Sequence, residues 1–237
     1  MDKIRLIFAL CLGVTLGCQS VASHAADVAK ASRIGDSVFR DVWHAILEEA
    51  QIEVEFIAAP RDIRRDMFVK GELVLDCCSV PDWRAREDEK ETQLWTSPFF
   101  YTVDHLIVQE GREYALPDPT DLSAYRVGVV QGFAYRRDAT FGDTVVRVSL
   151  GEVFEAVAQG EADLTIANHQ EFRRRQKLNP LPLALGPEHH RLALRARVHN
   201  SRADLLPRIE AAIKALNANG RIAHLTGARL RDMKVPE

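Results

Sequence analysis

Tyr125-Arg126-Val127-Gly128-Val129-Val130-Gln131-Gly132 is the stretch on which the fold turns. Arg126 to Val130 is a short, mostly apolar run with β-branched residues, closed by a Gln-Gly turn. This is the pattern of a strand buried in a parallel sheet. A helix is expected from Ala134, so the unit reads strand, turn, helix. Downstream, Val145 to Val148 is the next strand, and Ser149 caps a helix whose Val153, Phe154 and Val157 face inward and which Gly160 stops. Leu164 to Ala167 is another strand, Asn168 caps a short helix over Glu171 to Gln176, and Leu181 to Leu185 and Leu192 to Leu194 mark further strands. Ser201 opens a long helix, with Leu205, Leu206, Ile209, Ala212, Ile213 and Leu216 on one stripe, that ends at Asn219-Gly220.

Upstream the same alternation holds. Ser37 to Ala50 is an amphipathic helix with Val38, Phe39, Val42, Trp43, Ile46 and Leu47 on one face. Glu53 to Ile57 is a strand, Pro60 to Lys70 a helix closed by Gly71, and Leu73 to Cys78 a buried strand. Pro81 to Thr92 reads as polar and irregular, and Val103 to Gln109 as a strand. Short strands alternating with helices imply α/β layers with mostly parallel sheets. Residues 110–188 are bounded by Gln109-Glu110-Gly111 and Gly186-Pro187 and contain their own strand-helix-strand set. The expected plan is a first lobe of residues 26–109 and 189–237 and a second lobe of 110–188. Two chain crossings would then form a hinge over a ligand cleft at the carboxyl ends of strands.

Residues 1–25 read as a secretory signal: Lys3 and Arg5, the apolar run Leu6 to Leu16, then Ser23-His24-Ala25 before a cleavage point. The run is shorter than the roughly 20 residues that span a bilayer. Lipidation at Cys18 is the lesser alternative, because Thr15 stands where such signals carry a larger aliphatic residue. The expected compartment is the periplasm. Removing this segment leaves Cys77 and Cys78, which read as two buried thiols on opposite faces of a strand. Consecutive trans Cα atoms are about 3.8 Å apart, below the usual disulfide range. With 31 basic and 34 acidic residues the net charge is −3, which argues against a nucleic-acid-binding surface. The histidines show no metal-ligand spacing, and no nucleophile elbow or phosphate loop is present.

Five landmarks in order, Gly71-Glu72-Leu73-Val74-Leu75-Asp76, Ser97-Pro98-Phe99-Phe100, Tyr125 to Gly132, Gly160-Glu161-Ala162-Asp163, and the long helix ending at Asn219-Gly220, resemble those of the family 3 extracellular solute-binding proteins. The resemblance implies an α/β periplasmic-binding-protein type II fold and two lobes joined by a two-strand hinge. It further implies a non-enzymatic monomer that captures a small polar or anionic, amino-acid-like solute for an ABC-type permease or a sensor, without a cofactor. It places an Arg against the ligand carboxylate shortly after the Gly-to-Asp strand, which makes Arg84 the first candidate and Arg86 the second. A guanidinium fork accepts a carboxylate through two parallel hydrogen bonds.

From the second lobe the resemblance brings Gln131, Gly132 and Phe133, whose free backbone N–H groups would point at an anion, with Tyr135 at the flank. Trp83 and Phe100 are expected to line the cleft, as are Phe99 and Tyr101, and Arg61 to face it. Two departures stand out. Asn168 occupies the place where amino-acid binders carry an acid for the ligand ammonium, which removes a charge. Ala26 to Asp36 has no strand-like run, so the first strand of the first lobe is expected to be short or absent. Two alternative readings are a degenerate binding fold acting as a sensor or interaction partner, and a prephenate- or arogenate-dehydratase-like enzyme. The latter would need a general acid or base beside the carboxylate-binding Arg.

Overall fold

The chain places its strands in one hydrogen-bonded path with helices on its faces. The computed structural model describes residues 28–113, 118–135 and 140–227. The expected signal segment and Cys18 therefore lie outside the described residues. The strands are β1 (Ala29–Ser32), β2 (Val54–Ile57), β3 (Leu75–Ser79), β4 (Gln93–Trp95), β5 (Phe100–Gln109), β6 (Val127–Val130), β7 (Thr144–Arg147), β8 (Leu164–Asn168) and β9 (Leu183–His199). The helices are α1 (Val38–Glu49), α2 (Arg61–Val69), α3 (Glu87–Thr92), α4 (Leu150–Ala158), α5 (His169–Leu178), α6 (Leu206–Ala218) and α7 (Arg221–Thr226). Sheet order is β2-β1-β3-β9-β5-β8-β6-β7, with β4 also paired to β9.

Local chemistry explains most boundaries. Ser37, Ser149 and Asn168 each accept a hydrogen bond from the backbone N–H three residues on, and so cap α1, α4 and α5. Gly71, at φ +72°, ends α2 by turning the chain so that the Glu72 N–H returns to the Met67 carbonyl. The first strand does form, although its sequence carries no apolar run. Ala29, Ala31 and Ser32 are buried in β1, which pairs in parallel with β2 and β3, so small side chains between two neighbours suffice.

Three expectations change. β5 and β9 run antiparallel to each other and to their outer neighbours β8 and β3, so the sheet is mixed rather than mostly parallel. A chain that leaves one lobe and returns must cross in opposite directions. Leu183 to Leu185 and Leu192 to Leu194, expected in separate strands, belong to one 17-residue strand, β9. Pro81 to Thr92 is more regular than expected, holding a single 3-10 turn and α3.

The core is divided between the lobes. In the first, Val42, Trp43 and Ile46 of α1 and Ile209 and Ile213 of α6 pack on β3 and the distal part of β9. In the second, Phe154, Val157 and Phe172 cover one side of the sheet, and Leu122, Val127 and Ile166 the other. β5 and β9 pass between them. Their register slips at Asp104/His105 and again before Ile107, an irregularity of the kind that re-aims side chains and bends a strand.

Candidate functional site

A cavity of about 850 Å³ lies between the lobes, and eight of the expected site residues border it: Arg61, Trp83, Arg84, Gln131, Gly132, Phe133, Tyr135 and Asn168. That volume suits a small ligand. Arg86, Phe99, Phe100 and Tyr101 do not border it. Phe100 is 1% exposed and packs against Phe39 in the core of the first lobe, where the buried face of β5 points it.

The first-lobe wall is rich in guanidinium. Arg61, the first residue of α2, and Arg64, one turn on, stand beside Arg84, the last residue of the 3-10 turn after β3. Burial lowers the pKa of Arg61 to about 10, assisted by repulsion from Arg64 and Arg84. Burial likewise brings Arg84 to about 10, opposed by the nearby Asp76. Both stay charged at neutral pH, yet neither makes a hydrogen bond to a carboxylate among the described residues. Arg61 stacks on Phe133 at 3.6 Å, and Arg84 donates to the Trp83 carbonyl while its Nε lies 3.9 Å from Asp76 and has no hydrogen-bond partner. Desolvated cations gathered this way favour an anion at the centre of the wall.

Behind them, Asp76 is already satisfied. Burial would raise its pKa, but the guanidiniums of Arg197 and Arg84 and the Ser32 hydroxyl hold it below the ordinary value. Arg197 bridges Asp76 at 2.9 Å and Glu89 at 3.0 Å, and Arg65 closes on Glu89 from the other side. This network fixes the end of β3 and the turn that carries Arg84.

The turn after β6 differs from the sequence reading. The Gln131 and Phe133 N–H groups are spent inside the fold, on the Arg147 and Val130 carbonyls at 2.8 and 3.0 Å. Of the three, only the Gly132 N–H is left without a backbone acceptor among the described residues. Ala134 and Tyr135 are not helical, and residues 136–139, where the expected helix would continue, lie outside the described residues. Tyr135 instead accepts the Val130 N–H through its hydroxyl, and burial raises its pKa to about 12.

Gly132 has φ +72°, and a Cβ there would come 3.2 Å from Arg61 Cβ, so the lobes pack closely against each other at this turn. Gly132→Ala is expected to cost about 1–2 kcal/mol from the left-handed backbone alone. Denaturant unfolding measures it.

Asn168 borders the cavity, but its Oδ1 is committed to the Glu171 N–H at 2.8 Å, the capping role. Cys77 and Cys78 also border the cavity. They are joined as a disulfide, with a cis peptide bond between them, contrary to the expected pair of free thiols. Contacts from α5 to α1 hold the cleft shut along one side. Arg174 reaches Asp41 at 2.9 Å and Asp36 at 2.7 Å, and Glu171 accepts the Val38 N–H at 3.4 Å. Burial raises the pKa of Glu171, with Arg175 opposing.

Sequence reasoning passed over Asp104, on the hinge strand β5 at the edge of the cavity. The available signal was an acid, next to His105, inside a run otherwise apolar from Val103 to Val108. Glu171, Arg33 and Arg175 were also missed, since each reads as an ordinary solvated charge until the lobes meet.

No protein-family model and no characterised protein matches the chain by sequence. Solved structures do match. The GluR0 ligand-binding core in complex with L-glutamate is 16% identical, covers 86% of this chain and 98% of its own, and gives a TM-score of 0.73. The amino acid ABC transporter substrate-binding protein AbpA from Streptococcus pneumoniae, bound to L-arginine, is 15% identical over 84% of this chain and 92% of its own, at 0.67. A histidine kinase sensor domain with similarity to periplasmic binding proteins is 14% identical over 86% and 96%, at 0.63. At these identities the likeness carries the fold, that of the type II periplasmic binding proteins.

Proposed function

We propose that this chain is a family 3 solute-binding protein, exported by a cleaved signal. In this reading it captures a small polar or anionic, amino-acid-like solute between its lobes, for an ABC-type permease or a sensor, and catalyses no reaction. The observation that carries the proposal is the pair Arg61 and Arg84, two buried guanidiniums without a carboxylate hydrogen bond on one wall of an inter-lobe cavity. A ligand carboxylate supplies the missing anion. It relieves the repulsion among Arg61, Arg64 and Arg84, and its contacts to both lobes favour the closed arrangement. The neighbouring folds, which include a transporter component and a sensor domain, support both destinations.

A library of amino acids, amines and organic acids tests the reading by thermal shift. A solute at a hundred times its Kd stabilises the native state by about 2.7 kcal/mol, or roughly 5–10 °C in a chain of this length. Arg84→Ala is expected to weaken that solute by about 10- to 100-fold, the loss of a charge-assisted pair. A flat response across the library counts against solute capture, and an unchanged affinity in Arg84→Ala moves the anion site elsewhere.

A further inference from the structure

Among the described residues, Asp104 is the half-buried carboxylate of the cavity wall that the fold leaves unanswered; Asp62, which also borders the cavity, is exposed. Around the cavity Asp76 is matched by Arg197, Asp36 by Arg40 and Arg174, and Glu171 by Arg175. No hydrogen bond or ion pair reaches the Asp104 carboxylate among the described residues, and burial, the sole influence on it, raises its pKa to about 7. Its place in the ladder aims it at the ligand space. Asp104 stands directly across from Asn168 of β8 and His190 of β9, both of which also border the cavity, and it falls at the register slip of the hinge strands. Cross-strand partners project from the same face of a sheet. Asn168 beside it carries no charge and has committed its carbonyl oxygen to a helix cap.

We infer that Asp104 is the cation-reading residue of this cavity: it receives the ammonium of a zwitterionic solute whose carboxylate lies against Arg61 and Arg84. This rests on the solute-capture reading and narrows it, since a cavity with guanidiniums on one wall and an unpaired carboxylate on the hinge strand discriminates against plain organic acids. An ammonium brings up to three donors to a carboxylate that has none, in surroundings where the pair is poorly screened. A simple anion in the same place would meet the Asp104 charge as repulsion. Because β5 passes between the lobes, the ammonium would also couple ligand occupancy to the strand about which the lobes move.

Matched pairs test it: L-glutamate with glutarate, L-aspartate with succinate, and L-arginine with 5-guanidinopentanoate, each titrated by calorimetry at pH 8 into the wild type, Asp104→Asn and Asp104→Ser. The wild type is expected to bind the best amino acid at least about tenfold tighter than its deaminated partner, the scale of one charge-assisted hydrogen bond. In both variants the margin should collapse, because the amino acid weakens while the deaminated acid holds or improves. A margin that survives in the variants, or a wild type that prefers the deaminated acid, overturns the assignment to Asp104 while leaving anion capture intact. No heat from either member of any pair removes the capture reading itself.

Discussion

Arg197→Met is expected to lower the thermal midpoint by about 10 °C at neutral pH. Arg197 is 1% exposed and directly opposite Asp76 in the ladder of β3 and β9. It donates to Asp76, Glu89 and Gln93 and lies over the Phe68 ring at 4.0 Å. Methionine keeps the apolar contact and removes the charge, which leaves two buried carboxylates short of their shared partner. Breaking such a pair costs about 3–5 kcal/mol, at roughly 2–4 °C per kcal/mol for this chain length.

The pH dependence carries a signature. Despite burial, Asp76 and Glu89 have lowered pKa values because of the neighbouring guanidiniums. Their contribution is present above the ordinary carboxylate range and is lost as pH falls through the lowered values. In the variant that advantage is gone, so the deficit is greatest at neutral pH and shrinks toward pH 4, where both groups can take up protons. Calorimetric melts at pH 7 and pH 4.5 measure the difference. An unchanged midpoint at pH 7 would mean that Arg65 and Arg84 alone satisfy the two carboxylates.

Asp104→Asn, by contrast, is expected to stabilise the unliganded protein at alkaline pH. Burial raises the Asp104 carboxyl from 3.8 to about 7. Between those values the folded chain binds more protons at this site than the unfolded chain, so the wild type loses stability as pH rises from about 4 to 7 and stays penalised above. The full shift corresponds to about 4 kcal/mol. Asp104 is partly exposed to the cavity, and water there screens it, so about 2 kcal/mol, or roughly 4–8 °C, is the expected gain at pH 8. It should shrink severalfold by pH 4.5. His190 and Tyr135, the other titratable side chains at that face, are common to both proteins, so the difference between their stability-pH curves reports Asp104. A side chain whose removal strengthens the fold while weakening its ligand would be the trade-off expected of a binding group. Equal stability at pH 8 would show that the carboxylate is solvated and not strained by its site.

Much of the scaffold was legible. Ser37, Ser149 and Asn168 announced helix starts because a cap needs only its own side chain and a backbone N–H three residues away. Gly71, Gly160 and Gly220 marked stops for an equally local reason, their positive φ. The stripes of α1 and α6 were visible because a helix face repeats every three to four residues. Illegible elements were those made by partners distant in sequence. β1 has a weak pattern of its own and forms because β2 and β3 flank it, while β4 is three residues that pair to β9 across about a hundred positions. Phe99 and Phe100 could not be told apart from cleft aromatics by residue type, and both proved to be core.

The site divides in the same way. The family resemblance brought forward Arg84 and the Gln131-Gly132-Phe133 turn, and a place at the end of a strand brought forward Arg61; residue type and position at a strand or helix end are local properties. Which charges remain unpaired was decided only by the tertiary structure. Asp76 meets Arg197 across 121 positions and Glu89 meets the same Arg across 108, whereas Asp104, equally acidic in the sequence, meets no cation among the described residues. Charge pairing acts through space at a few ångströms, and no local pattern encodes which distant strand will lie opposite.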